Sequence, residues 1–162
     1  MKKFLFVVLL AAASITAYAQ PRAIGVRLGY GAEVSYEHGF SSGNMLSLEV
    51  GVPGFASLEA ACTYDWIDPF GATVPWNEKG EWHWYMGVGG AAQWSWYYMN
   101  AGFVGACGRF GIEYDFWFPL QISIDWRPTL GVNLFNTNQG MRAGFGYDLY
   151  CGGLGLGIRY KF

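Results

Sequence analysis

The sequence predicts an all-β protein, a single up-and-down antiparallel β-barrel of about eight strands that crosses a membrane. Three observations lead to this fold class. Apolar and polar residues alternate along most of the chain, which places them on opposite faces of strands. The polar face is rich in glycine and sparse in charge. Beyond the N-terminal region, no apolar run approaches the roughly 20 residues that a membrane-spanning helix needs.

Residues 1–19 have the layout of a cleavable secretory signal. Lys2 and Lys3 form a positive region, an uncharged apolar run follows, and Ala17 and Ala19 stand where a signal peptidase reads small residues. The apolar run is too short for a transmembrane anchor, and the first cysteine, Cys62, is too distant for a lipoprotein signal. We therefore expect export, with a signal peptide over 1–19 and one barrel domain over 20–162.

The composition excludes several classes of function. Hydrophobic residues make up 52% of the chain and charged residues only 14%, too few to solvate the surface of an ordinary soluble domain. Without Lys2 and Lys3 the formal charge falls from −2 to −4, so nucleic acid is not an expected partner. Cys62, Cys107 and Cys151 are odd in number and lack metal-ligand spacing. The sequence leaves open whether Cys107 and Cys151 are bonded.

The alternation is clearest from Ile24 to Tyr36. Every even position there is apolar, whereas the odd positions hold glycine, serine or a charge such as Arg27 or Glu33. This pattern is typical of a strand with one apolar and one polar face. It recurs along the chain and predicts about eight strands of roughly ten residues, the length of a tilted membrane strand. The predicted strands are 24–36, 46–52, 58–66, 82–89, 104–114, 120–133, 141–148 and 154–162.

Turn-forming residues separate most of the predicted strands. Glycine, proline, asparagine and serine cluster at 38–44, 53–55, 67–81 and 135–139. The segment from about 90 to 103 shows no such cluster. A turn can fall at several places within it, and a count of ten strands stays open.

A soluble β-sandwich is the alternative fold, because its strands alternate as well. The outward face of a sandwich is rich in charged and hydroxyl side chains, whereas this polar face is largely glycine. Small inward residues suit the narrow interior of an eight-stranded barrel. Aromatic residues near the strand ends indicate two membrane-interface girdles. One predicted girdle holds Trp66, Trp76, Trp82, Trp84, Phe116, Trp117 and Phe118, and the other holds Trp94, Trp96, Tyr97, Tyr98, Phe135, Tyr160 and Phe162.

The C-terminal strand carries a first resemblance. Leu156, Ile158 and Tyr160 alternate before Phe162, the final residue. This pattern resembles the C-terminal insertion signal of outer-membrane barrels, which the barrel assembly machinery reads. The resemblance implies insertion into the outer membrane of a Gram-negative bacterium.

The body of the chain resembles the small porin-like or OmpA-like outer-membrane barrels of Gram-negative bacteria. The stretches that carry this resemblance are 23–29, 33–38, 84–89, 111–114 and, most distinctively, Pro-Leu-Gln-Ile-Ser-Ile-Asp-Trp-Arg-Pro at 119–128. The resemblance as a whole covers most of the expected mature chain. The resemblance implies an outer-membrane barrel domain, and it brings no established activity or catalytic residues.

Charged residues on the predicted inner face form the candidate functional site. Acidic and basic residues nearly balance there, and charges withdrawn from water must pair. We therefore expect a network of ion pairs and hydrogen bonds that plugs the lumen, with a narrow conduction path as the alternative. The predicted lumen charge network is Arg27, Glu33, Glu37, Glu49, Glu59, Asp65, Arg109, Glu113, Asp125, Arg127, Arg142 and Arg159, with Lys161 as a further inward base.

The sequence predicts no catalytic residue, metal or cofactor. Some small outer-membrane barrels are lipid A deacylases or acyltransferases that use a histidine and a serine near the outer leaflet. Glu37, His38 and the nearby Ser41 and Ser42 form a comparable set here, but the His-x-Ser pairing of the deacylases is absent. His83 has no second histidine or cysteine at metal-ligand spacing.

Orientation and partners follow from the barrel hypothesis. With both termini periplasmic, we expect loops 38–44 and 67–81 to face outside, and the charged tip 77–81 to bind a partner or simply to be solvated. Expected partners are outer-membrane lipids, lipopolysaccharide and the assembly machinery, with the barrel a monomer. Three functions stay open: a structural or surface-interaction barrel, a narrow porin for small solutes, and a lipid-modifying enzyme.

Overall fold

The structure is a computed structural model that describes residues 22–41, 43–68, 79–96, 102–137, 140–148 and 153–162. No helix in this part of the chain is long and apolar enough to cross a membrane. The described residues form ten strand segments: β1 Arg22–Leu28, β2 Gly31–Ser41, β3 Asn44–Pro53, β4 Ser57–Ile67, β5 Glu81–Ser95, β6 Gly102–Asp115, β7 Leu120–Trp126, β8 Thr129–Thr137, β9 Gly140–Asp148 and β10 Leu154–Lys161.

The segments close into an antiparallel barrel. From β1 to β6 each pairs with the next along the chain, and β10 pairs with β1 to close the sheet. Pairing around a closed wall satisfies the backbone hydrogen-bonding groups within the wall itself. We call the rim where β1 begins and β10 ends the terminal end, and the rim that holds the β1–β2 turn the turn end.

The ten segments make eight barrel strands. β6 pairs with β7 through Phe110 opposite Trp126 and with β8 through Cys107 opposite Thr129, in one continuous register. β7 and β8 are therefore a single barrel strand, interrupted near Pro128 because proline has no N–H to donate. β9 and β10 follow each other along that strand with a register shift of three residues, since Thr129 lies opposite Asp148 whereas Trp126 lies opposite Leu154. The prediction of a single up-and-down barrel of about eight strands is confirmed.

The prediction of one strand over 24–36 is wrong. The chain turns at Gly29 and Tyr30 and returns as β2, with Leu28 opposite Ala32. Both flanking residues are even-numbered, so the turn keeps the apolar side chains on one face and the alternation passes through it unbroken. The count of eight survives because the predicted strands 141–148 and 154–162 form one barrel strand rather than two.

This early turn also corrects the predicted orientation of the loops. β2 and β4 end, and β3 and β5 begin, at the terminal end, together with Arg22 and Phe162. The described residues of 38–44 and 67–81 therefore lie on the same side as the termini, and the expectation that they lie on the opposite side is wrong. Of the tip expected to bind a partner, residues 77 and 78 lie outside the described residues. β1, β3, β5 and β8 end, and β2, β4, β6 and β9 begin, at the turn end.

The segment from about 90 to 103, in which the sequence did not locate the turn, contains the end of one long strand and the start of another. β5 continues to Ser95 and β6 starts at Gly102, with Gln93 opposite Phe103 near the turn. Residues 97–101 of this connection lie outside the described residues.

The polarity of the barrel is the reverse of that in a soluble protein. Arg109, Asp65 and Ser35 are completely buried in the lumen, whereas Val34 is 58% exposed and Val88 is 59% exposed on the outer wall. Among the described residues, most buried side chains are charged or polar, and large apolar side chains cover the outside. The core of this barrel is therefore ionic, and its surface is apolar.

Exposed aromatic residues lie near both rims. The terminal end carries Trp66, Trp117 and Phe118, and the turn end carries Trp94 and Trp96. The predicted division between the two girdles needs one correction, because β10 ends at the terminal end and not at the turn end. This correction moves Tyr160 and Phe162, whereas Trp76, Tyr97 and Tyr98 lie outside the described residues.

Candidate functional site

Arg109 is the centre of the ionic core. Its side chain is completely buried, and only hydrogen-bonded partners make such burial tolerable for a charge. The guanidinium fork reaches acceptors on β2, β3, β4 and β7, so one side chain ties four other strands to β6. Its terminal nitrogens donate to Ser47 Oγ at 2.5 Å, Asp65 Oδ2 at 2.9 Å, Glu37 Oε1 at 3.1 Å and Asp125 Oδ2 at 3.3 Å.

An aromatic ring and a glycine support this arginine. The Arg109 guanidinium lies 4.7 Å from the ring centroid of Tyr85, and both side chains are completely buried, which strengthens a cation–π contact. Tyr85 lies opposite Gly111 on β6. A Cβ at Gly111 would overlap the Tyr85 ring and the Asp125 side chain. The missing side chain at Gly111 therefore makes room for the ring beneath the central charge.

Arg127 forms a second cluster nearer the turn end. Its guanidinium donates to Glu33 at 2.7 and 3.1 Å, to Glu59 at 2.5 Å, and to Glu49. Three acidic residues from β2, β3 and β4 thus converge on one base from the far side of the barrel. Such cross-lumen pairs hold opposite walls together, since each partner is costly to leave unpaired.

Arg27 joins the two clusters. Its guanidinium donates to Asp125 at 2.7 Å, which also accepts from Arg109, and to Glu33 at 3.2 Å, which also accepts from Arg127. A third bond goes to the backbone carbonyl of Gly153 at 2.6 Å. The network therefore runs continuously through the lumen.

Arg159 extends the network toward the terminal end. It donates to Ser35 Oγ at 2.8 Å and Ser123 Oγ at 2.7 Å, and its charge lies 3.3 Å from Glu37. Lys161 pairs with Asp115 at the rim. Glu113 is 97% buried between these groups on β6, and its Oε2 has no hydrogen-bond partner among the described residues.

The lumen is more acidic than the sequence suggests. Arg142 was expected in the network, but it is exposed on β9, which extends past the β1–β2 turn. Lys161 forms an ion pair with Asp115 at the rim, so it adds no positive charge to the interior. The interior charges of the described residues are then the four bases Arg27, Arg109, Arg127 and Arg159 and the seven acids Glu33, Glu37, Glu49, Glu59, Asp65, Glu113 and Asp125.

Uncharged partners were the part of the network that sequence reasoning missed. Ser35, Ser47 and Ser123 are buried and bind the central arginines, and Gln121 lies 3.5 Å from Arg159. The alternation places all four on the inner face, so the same signal that identified the charges could have identified them.

The lumen opens at the turn end into a vestibule made of two adjoining cavities. One has a volume of about 250 Å³ and has Arg27, Glu33, Glu59 and Arg127 in its lining. The other, of about 280 Å³, lies toward the rim. Both cavities are lined by Tyr30, Pro53, Gln93, Phe103 and Asn133.

The two histidines lie in separate surroundings in the described part of the chain. Glu37 points into the lumen toward Arg109, whereas His38 contacts the Tyr36 hydroxyl at 3.3 Å. His83 lies 2.6 Å from Asp68 and 3.5 Å from Glu81 near the terminal rim. The described residues contain no cluster of three or more metal-ligating side chains. Ser42 and the side chain of Ser41 lie outside the described residues.

The two described cysteines are free thiols on opposite sides of the wall. Cys62 is exposed on the outer face of β4, and Cys107 is buried in the lumen. Cys151 lies outside the described residues, so a bond between Cys107 and Cys151 stays an open question of the sequence.

The four residues of the C-terminal pattern lie together on the outer wall. Leu156, Ile158 and Tyr160 project outward from β10, and Phe162 is 61% exposed just beyond it. β10 is also the strand that pairs with β1 and so closes the barrel.

Comparison with known proteins returned no match to a family model, a curated protein or a solved structure.

Proposed function

We propose that this chain is an integral outer-membrane β-barrel with a side-chain-plugged lumen, serving a structural or surface-interaction role. The observation that carries the proposal is the inverted polarity of the wall. A continuous belt of exposed apolar side chains is unfavourable in water and favourable against lipid. A closed barrel also leaves few wall hydrogen-bonding groups for water to satisfy, which is the condition for crossing a bilayer with strands.

The ionic core supports a closed barrel over an open pore. Arg109 and Arg159 are almost completely buried and are held by acceptors from several strands. Eight-stranded barrels have interiors that side chains can fill. A solute would have to separate these pairs and leave charges unpaired in a narrow space, which is strongly unfavourable.

Placement in the outer membrane rests on both ends of the chain. The pattern over 1–19 favours export, and the alternation that ends at Phe162 resembles the strand that barrel assembly machinery reads. We propose a monomer surrounded by phospholipid and lipopolysaccharide. With periplasmic termini, the turn end and its vestibule would face outside.

We propose no enzymatic function. The catalytic candidates of the sequence were Glu37 and His38 with Ser41 or Ser42, but Glu37 is bound to Arg109 and Arg159 within the lumen. A serine nucleophile needs a base that is itself oriented by its acid, and Glu37 does not face His38.

Cys62 provides the test of membrane insertion. In the variant Cys107→Ser/Cys151→Ser, reconstituted into phospholipid vesicles, Cys62 should resist a charged water-soluble maleimide, because the reagent is excluded from hydrocarbon and a thiol there stays protonated and unreactive. Unfolding in denaturant should make Cys62 reactive to the same reagent. The matched control is Glu81→Cys in the same background with Cys62→Ser, because the Glu81 side chain is 72% exposed at the terminal end.

The control thiol should react with the charged reagent in folded protein. Rapid labelling of Cys62 by that reagent in vesicles, while the protein keeps the heat-dependent gel mobility of a folded barrel, would show that the outer wall faces water. The proposal would then be overturned.

A further inference from the structure

We propose that the turn-end vestibule binds small primary-ammonium compounds, such as short aliphatic diamines. This goes beyond the proposed membrane role, because binding depends on the lumen and not on the lipid around the wall. The starting observation is the pair of adjoining cavities, about 250 and 280 Å³ in volume. Sites for drug-sized ligands span about 300–1,000 Å³, so each cavity suits a smaller molecule.

Four adjacent strands place their lining residues in one row. Glu59 on β4 lies opposite Gln93 on β5, Gln93 lies opposite Phe103 on β6, and Phe103 lies opposite Asn133 on β8. Their side chains share the inner face of the barrel. The row therefore forms a fixed shelf of one carboxylate, two amides and one aromatic ring, held by paired backbone.

The hydrogen bonds that Gln93 and Glu59 already make leave one acceptor oxygen on each of these two side chains. Gln93 gives its Nε2 to Ser57 Oγ at 2.7 Å, which leaves its Oε1. Arg127 directs its terminal nitrogens to Glu33, Glu49 and Glu59. Glu59 accepts through Oε1, and its Oε2 has no hydrogen bond to another described residue. Acceptor oxygens without a hydrogen bond favour a ligand that has hydrogen-bond donors, and a primary ammonium group has three N–H donors.

The charge around the vestibule favours the same class. Its lining holds the acids Glu33, Glu59 and Asp148 against the bases Arg27 and Arg127. The acidic excess of the deeper lumen adds to this field and repels anions. Glu59 is the most accessible acid of the Arg127 cluster, with its side chain 15% exposed. It is the group that an incoming cation would meet.

The apolar part of the vestibule suits a short hydrocarbon stem. Phe103 lines both cavities from the inner face. Tyr30 lines both from the rim, and its ring lies so close to Gly54 that a Cβ there would overlap it. The backbone N–H of Gly54 also donates to the Tyr30 carbonyl at 2.7 Å. Two positioned rings can contact methylene groups while the ammonium end lies against Glu59.

Isothermal titration calorimetry of the folded protein in detergent micelles tests the proposal with 1,4-diaminobutane as probe. We expect saturable binding that Glu59→Gln weakens by at least about tenfold, because the charge-assisted hydrogen bond is lost. Glu81→Gln is the matched control at the terminal end, where the Glu81 side chain is 72% exposed, and it should bind like the parent protein.

Three further probes define the ligand class. Tetramethylammonium carries the charge without N–H donors, glucose carries hydroxyl groups without charge, and phosphate carries the opposite charge. Each should bind more weakly than the diamine. Equal binding of tetramethylammonium would overturn the assignment to primary ammonium compounds, and preferred binding of glucose or phosphate would overturn the cation site.

A second variant covers the case in which Glu59→Gln does not fold. Phe103→Ala removes the shared ring and leaves the Arg127 cluster unchanged, so it should weaken the diamine more than ammonium ion alone. Absence of saturable binding to the parent protein, or identical affinity in the parent and both vestibule variants, would overturn the proposal.

Discussion

Arg109 shows how much of the barrel depends on one buried base. Replacing it by methionine keeps a side chain of similar length and removes the charge that Glu37, Asp65 and Asp125 share. These acids would stay buried without their common partner. We expect Arg109→Met to lower the free energy of unfolding by about 3–5 kcal/mol, the usual cost of breaking a buried ion pair. Urea titration followed by tryptophan fluorescence in lipid vesicles measures it.

Lys79→Met is the control, because Lys79 is exposed just before β5. It should change the same free energy by no more than about 0.5 kcal/mol, as for most surface substitutions. A similar loss in both variants would mean that the buried network contributes no more to stability than an exposed lysine.

The sequence predicted which side chains face inward better than which ones meet. Alternation places Arg27 and Asp125 on the inner face, but their contact joins the first strand to the seventh. Only the register of the closed sheet brings such positions together. The shelf from Glu59 to Asn133 was missed for the same reason, since it requires three strand pairings at once.

At the scale of the element, β10 carries the closure of the barrel. It pairs with β1 on one side and with β7 on the other, and Ile158 lies between Val26 and Ile122. Proline there removes an N–H that the ladder needs on one of these sides. We expect Ile158→Pro to abolish the compact, heat-modifiable band on a gel run without boiling.

Phe145→Pro on β9 is the matched control. β9 pairs with β8, and no other described strand pairs with it. The same substitution should therefore leave most of the protein compact. If both variants ran as folded barrels, the β1–β10 pairing would not be what closes the molecule.

Two features of the strands could not be read from the sequence. The turn at Gly29 and Tyr30 was hidden because an even offset across it preserves the apolar face. In the last barrel strand the alternation is interrupted, although the chain does not turn back. Outward residues are odd-numbered in β9 and even-numbered in β10, so the sequence pattern predicted two strands where there is one. The two errors cancelled in the count but moved the loops to the other end.

For the whole molecule, the excess of acidic residues in the lumen determines which ions would pass if the side chains that fill the lumen were removed. The parent protein should carry no steady current in a planar bilayer, because Arg109 and Arg159 fill the interior. Removing the central pair of large side chains, with Arg109→Ala and Tyr85→Ala together, should open a path lined by Glu37, Asp65 and Asp125.

Such a path should pass K⁺ in preference to Cl⁻, because carboxylates would then outnumber bases in the lumen still further. The reversal potential of the double variant under a KCl gradient measures this preference, and Val88→Ala on the outer wall serves as the control that should stay closed. Anion selectivity would contradict the acidic interior. Steady current through the parent protein would contradict the plug. It would show a continuous water path through the lumen, although the proposal holds that ion pairs between the walls block such a path.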